Sequence, residues 1–182
     1  MDRLWTPWRM EYILSEKPEG CIFCDMLAAG DDRACLILHR GQHAFVVLNR
    51  YPYNNGHLMI VPYAHVATLE DLDDDTLLEL MRLVKRGLAA LRKIMSPHGF
   101  NIGVNLGKPA GAGVADHVHI HVVPRWEGDT NFMAVLAGTR MVPEMLDQTC
   151  DRLTAAFAEV EGYRFEGFKK GKWPAEGAEL LV

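Results

Sequence analysis

Between Asp116 and Arg125 the chain reads Asp-His-Val-His-Ile-His-Val-Val-Pro-Arg. His117, His119 and His121 alternate with Val118, Ile120 and Val122, and a period of two is the signature of an extended strand. Successive strand side chains point to opposite faces, so the spacing puts the imidazoles on one face, about 7 Å apart, and the β-branched residues on the other. The apolar face demands a core behind it. The imidazole face is open to three roles: a solvated polar surface, a metal site, or nucleophilic catalysis at phosphorus, in which a neutral imidazole attacks a phosphoryl centre and forms a phosphoramidate. The run just upstream, Asn105-Leu106-Gly107-Lys108-Pro109-Ala110-Gly111-Ala112-Gly113, favours the last. Glycines let a loop approach a phosphate closely with its N–H groups turned inward.

The rest of the chain supplies a sheet for that strand. A short helix is expected over Asp25–Ala29, ending at Gly30. Leu36–His39 and Ala44–Leu48 read as strands of a hairpin around Arg40-Gly41-Gln42, and a turn over Tyr51–Gly56 leads to a third strand at His57–Val61. From Leu72 a helix begins, capped by Asp73 or Asp74, with Leu77, Leu80, Met81, Val84, Leu88, Leu91 and Met95 as its buried stripe. Ser96-Pro97-His98-Gly99 ends it, Phe100–Leu106 is a fourth strand, and the histidine strand is the fifth. Met133–Leu136 is read as extended and Pro143–Glu161 as a second amphipathic helix. Trp5, Trp8 and Tyr12 share a helical spacing in the opening segment. Five antiparallel strands with one long and several short helices make an α+β fold. With no internal repeat or dividing linker, the expectation is a single domain over 1–182, with an arm at 1–20 and a tail at 162–182.

A net charge of −5 argues against a non-specific nucleic-acid binder, while leaving room for a small anionic substrate in a local pocket. No apolar run is long enough to span a membrane, and no signal-peptide pattern opens the sequence, so a cytoplasmic protein is expected. In such a reducing compartment the Cys21-x-x-Cys24 pair reads as metal ligands or a redox motif before it reads as a structural disulfide. Cys35 and Cys150 stand alone.

His117-Val118-His119-Ile120-His121-Val122-Val123 resembles the His-φ-His-φ-His-φ-φ signature of the histidine triad (HIT) superfamily of nucleotidyl hydrolases and transferases. Asn49 to Pro62 resembles that family's upstream nucleotide-binding strand and turn. The opening Arg3-Leu4-Trp5-Thr6-Pro7-Trp8-Arg9-Met10, the run Val123-Pro124-Arg125-Trp126 and Gly128-Asp129-Thr130-Asn131-Phe132 are similar to its diadenosine tetraphosphate phosphorylase-like branch. The resemblance implies a HIT-like fold and a two-fold homodimer sharing one continuous sheet.

It also implies roles for individual residues. His119 matches the nucleophile that takes the nucleotidyl group, His117 the first histidine that orients it, and His121 and His57 the phosphate-side positions. Asn49 matches a ribose contact. Asn105, Gly111 and Gly113 are candidates for holding phosphate oxygens or ribose. Zinc-bearing members suggest His65 and His117 as completing a structural site with Cys21 and Cys24. The implied substrate is a dinucleoside polyphosphate or related adenine nucleotide, diadenosine tetraphosphate foremost, with inorganic phosphate or water as acceptor. Alternatives are a hydrolase, a phosphoramidase or a non-catalytic nucleotide sensor. One departure stands out: many relatives carry Gly-Gln-Ser/Thr before the triad, where this chain has Ala112-Gly113-Val114, which suits the phosphorylase-like branch. Ile22, Phe45 and Leu48 are candidates for a base pocket.

Overall fold

The computed structural model describes residues 20–129 and 145–160. The expected N-terminal arm with Trp5, Trp8 and Tyr12, the extended stretch Met133–Leu136 and the tail 162–182 lie outside the described residues. In chain order the elements are α1 (Ile22–Ala29), β1 (Ile37–Arg40), β2 (Ala44–Leu48), β3 (Leu58–Pro62), α2 (Asp74–Met95), β4 (Gly99–Val104), β5 (Ile120–Arg125) and α3 (Leu146–Glu159). The five strands form one antiparallel sheet, as the alternation and the turn signals predict, and their order is β1-β2-β3-β5-β4. No helix among the described residues is long and apolar enough to cross a membrane.

Apolar periodicity decides what lies on each side of the sheet. Ala44–Leu48 and Leu58–Pro62 are buried along their whole length, so both faces of the sheet centre are covered. Residues directly opposite in an antiparallel pair share a face. Leu58 pairs with Val122 and Ile60 with Ile120, and this face meets α2, where Gly87 lies against the Leu58 side chain. Met59 pairs with His121, which in turn pairs with Gly103 of β4. These three define the opposite face, and Phe23 of α1 packs on the rings of His117 and His119 there.

The long helix starts where the acidic cluster predicts. Asp73 caps it, its carboxylate accepting a 2.7 Å hydrogen bond from the Thr76 amide. That bond holds the Asp73 carboxyl below the usual carboxylate range. One expectation is corrected: Met81 is 58% exposed, and Leu77, Leu88 and Met95 are only partly buried. The buried line runs instead through Thr76, Leu80, Leu83, Val84, Gly87, Ala90 and Leu91. Met81 lies about 100° around the helix from Leu80, and the small Gly87 and Ala90 let the helix sit close to the sheet. Glu79 projects from the same helix and accepts from the amides of Gln42 and His43, tying down the β1–β2 hairpin.

The turn before β3 is held from both sides. Thr149 of α3 donates to the Asn55 carboxamide at 3.3 Å. Gly56 adopts φ +73°, and a Cβ there would meet Met95 Sδ at 2.7 Å and Leu91 Cδ2 at 2.9 Å. Gly56→Ala should therefore destabilise the protein by about 1–3 kcal/mol, through left-handed strain and overpacking together. Urea unfolding should show a lower midpoint with an unchanged m-value.

Candidate active site and metal centre

Four histidines gather on the face opposite α2, and their hydrogen bonds assign their protons. A carbonyl can only accept, so His119, whose Nδ1 lies 2.8 Å from the His117 carbonyl, carries its proton on Nδ1. Its Nε2 then holds the lone pair. That nitrogen has no partner among the described residues. No buried side-chain nitrogen or oxygen there lacks a partner either, so His119 Nε2 reaches the surface. Burial pushes the His119 pKa down, against the opposing pull of the His117 carbonyl bond. The ring is thus a neutral imidazole near pH 7 with its lone-pair nitrogen facing out.

A second chain of bonds runs beside it. The Tyr53 amide donates to His57 Nδ1 at 3.1 Å, and the Asn49 carboxamide nitrogen lies 3.3 Å from the same atom. Asn49 Oδ1 accepts from the Tyr51 amide, which fixes the carboxamide's orientation. Two donors on Nδ1 leave the His57 proton on Nε2, which is 3.0 Å from His121 Nδ1. His121 therefore accepts on Nδ1 and carries its own proton on Nε2. Its ring centroid is 4.7 Å from that of His119. Tyr53 stacks on His57 at 4.7 Å and 24°. The arrangement sets a lone pair and an N–H donor side by side, which is what attack on a phosphoryl centre and stabilisation of its oxygens need.

His117 departs from the expected row. Regular pairing begins only at Ile120, because Val118 gives its amide to the Val66 carbonyl at 2.7 Å, outside the ladder. The His117 ring is fully buried and turned toward the cysteine pair. Its Nε2 donates to the Pro62 carbonyl at 2.9 Å, leaving a lone pair on Nδ1, 3.2 Å from Cys21 Sγ and 3.8 Å from Cys24 Sγ. His65 Nδ1 is 3.4 Å from Cys24 Sγ. The four ligand atoms lie within 4.8 Å of one another. A tetrahedral zinc with ordinary bond lengths separates sulfur from nitrogen by about 3.6 Å. The set therefore fits such an ion, and the Pro62 carbonyl is the kind of outer partner that orients a metal-binding histidine. His117 thus holds the His119 ring through its backbone carbonyl, while its side chain belongs to the cysteine cluster.

Other expected residues fall as follows. Asn105 directly follows Val104, the last β4 residue paired with β5, which lies opposite Ile120; its carboxamide has no partner among the described residues. The glycine loop is corrected in part. The amides of Ala110, Gly111 and Ala112 donate to the carbonyls of Gly107 and Lys108, so a tight turn consumes the N–H groups expected to meet phosphate. Gly111 and Gly113 remain exposed at the loop. Phe45 and Leu48 are sealed in the centre of the sheet and only Ile22 is partly exposed, so the first two cannot line a base pocket. The spacing pattern missed Phe23, Tyr53 and Asn54, which touch the histidines only after folding.

A family model described as the HIT domain matches residues 33–128. The chain is 40% identical over 167 residues to an AP-4-A phosphorylase of Mycobacterium tuberculosis, covering 87% of this chain and 85% of the relative. It is 30% identical over 106 residues to an adenosine 5'-monophosphoramidase of Schizosaccharomyces pombe, covering 58% and 74% respectively. Among solved structures, a zinc-bound histidine triad family protein from Mycobacterium smegmatis aligns with TM-score 0.64 and 27% identity, over 78% of this chain and 95% of that one.

Because burial lowers the His119 pKa, its imidazole should stay unprotonated at pH 7 and titrate below the ordinary value of about 6.5. In the acid range the folded chain binds fewer protons at this ring than the unfolded chain does, so stability from this site falls as pH drops below that value. Imidazole NMR shifts followed through a pH titration check the midpoint; one above the ordinary value would contradict the assignment.

Proposed function

The chain belongs to the HIT domain family, and on that footing we propose that it is a nucleotidyltransferase of the diadenosine tetraphosphate phosphorylase kind. The observation that carries this is the His119 ring, held through Nδ1 by the His117 carbonyl with Nε2 open beside the His121 donor. His119 Nε2 attacks the α-phosphorus of diadenosine tetraphosphate. The P–N bond forms, the bond to the bridging oxygen breaks, and ATP leaves. Inorganic phosphate then attacks the adenylyl-histidine, giving ADP and restoring the ring. Positioning and charge stabilisation carry most of the rate in such a transfer. His121, oriented by His57, donates to a phosphate oxygen, and Asn105 and Asn49 are read as contacts to phosphate or ribose. Gly111 and Gly113 are read as giving the nucleotide room at the loop. The 40% identity to the mycobacterial enzyme supports the substrate class.

Cys21, Cys24, His65 and His117 are read as a structural zinc site. Zinc there would cross-link α1 to the segment entering β5 and supply no chemistry to the transfer. A single domain, a homodimer extending the sheet through the edge strand β4 and a cytoplasmic location complete the proposal, with no nucleic-acid or membrane partner.

Single turnover with labelled diadenosine tetraphosphate tests the first step: wild type should form an acid-labile adenylyl-protein, and His119→Asn should slow turnover by about 10³-fold or more. Product analysis with and without phosphate then separates ADP plus ATP from AMP plus ATP; the second pair alone would indicate a hydrolase. Tight binding with no adenylyl-protein would indicate a sensor. For the metal, purified protein should carry about one zinc per chain, and Cys24→Ala should lose it and melt at lower temperature.

A further inference from the structure

The histidine pair at the phosphate side depends on a small alignment across two strands. His57 precedes β3 and His121 sits on β5, and their ring nitrogens are 3.0 Å apart. A buried polar hub holds those two pieces of chain together. The Asn54 carbonyl accepts the His57 amide at 3.1 Å. The Asn54 carboxamide nitrogen donates twice at 3.0 Å, to the Pro124 carbonyl of β5 and to Asp129 Oδ2. Both of those partners can only accept, so the carboxamide has one possible orientation.

Asp129 is the fixed point of the hub. Its side chain is 9% exposed. It also accepts from Arg125 Nε at 2.6 Å, Arg125 Nη2 at 2.9 Å and the Trp126 amide at 3.3 Å. Arg125 reaches further, to Asn101 of β4 at 2.9 Å. A carboxylate this well paired is rigid, and it ties the end of β5 to the turn that carries Tyr53. The Tyr53 amide is the donor that keeps the His57 proton on Nε2.

We propose that Asp129 is a positioning residue of the active site, acting through Asn54 to hold the Tyr53–His57 turn against β5 so that His57 presents Nε2–H to His121 and His121 presents its own Nε2–H to the nucleotide's phosphate. This rests on the proposed nucleotidyl transfer and adds a residue to it. Asp129 meets no reacting atom in this scheme. Losing its charge frees the Asn54 rotamer, the turn relaxes, and the donor at the phosphate side loses its fixed direction. Misplacement of about 1 Å in such a group costs up to about 100-fold in rate.

A double-mutant cycle tests it, with the full chain, diadenosine tetraphosphate and single-turnover adenylyl transfer as the readout. Asp129→Asn should slow transfer about tenfold or more with KM for the nucleotide nearly unchanged. The same substitution in a His57→Ala chain should have little further effect, because its route to the phosphate is already gone. Imidazole ¹⁵N shifts should show His57 and His121 as single Nε2–H tautomers in wild type and as mixtures in Asp129→Asn. A merely structural role would lower the melting temperature and leave the tautomers alone. If Asp129→Asn transfers at the wild-type rate, or slows both backgrounds equally, the positioning role is overturned while the transfer chemistry stands. If His57→Ala itself is as fast as wild type, the histidine relay is wrong and the role of Asp129 goes with it. Should Asp129→Asn not fold, Asn54→Ala, which leaves Asp129 paired with Arg125, enters the same cycle with the same outcomes.

Discussion

The bond from His119 Nδ1 to the His117 carbonyl is the contact on which the histidine face depends. At 2.8 Å it picks one tautomer of a buried ring without any charged group. A carboxylate in that place would stabilise imidazolium and favour a second proton on the ring. A carbonyl orients the ring, and burial keeps it neutral. The same residue turns its side chain the other way, with its Nδ1 lone pair at the Cys21 and Cys24 sulfurs. One residue therefore joins two sites, and Phe23, between the cysteines in sequence, packs on both imidazoles at 5.3 and 5.0 Å.

Placing so many imidazoles inside a fold is costly unless each nitrogen is paired, since an unsatisfied buried polar group costs about 1–3 kcal/mol. His57 and His117 are fully buried, and both are satisfied by backbone groups at one nitrogen, the Tyr53 amide and the Pro62 carbonyl. Backbone partners do not change rotamer, so they fix which nitrogen of each neutral ring carries the proton. The other nitrogen of each ring is then committed to a neighbour: His121 for His57, the cysteine cluster for His117. Stability and chemical readiness come from the same bonds.

The sheet makes this economical. Its α2 face carries Leu58, Ile60, Ile120 and Val122 against a helix whose Gly87 and Ala90 allow a close approach. That packing supplies the core, which frees the opposite face for His121 and its neighbours. The strand register does the rest: Met59 and Gly103 flank His121 on either side, so a residue without a side chain lies next to it toward the sheet edge.

Much of this was legible in the linear order of residues. Strict alternation specifies a strand with one apolar face, the leucine periodicity with an aspartate cap specifies α2, and Gly30 ends α1 in the left-handed conformation that glycine favours. Those features are local, and local patterns survive in sequence. The pairing of Cys21-x-x-Cys24 with His65 and His117 came from resemblance to a known family, and the folded chain brings all four together. What the tertiary structure alone decided is which way each group faces. Val118 gives its amide to Val66, outside the ladder, and the His117 ring faces the cysteine pair. The Lys108–Ala110 turn spends amides that a glycine count would have offered to phosphate. Asn54 and Asp129, 75 positions apart, meet in one bond. No periodicity encodes contacts between segments so distant in the chain, because they exist only once the apolar faces have chosen their register and carried the turns along with them.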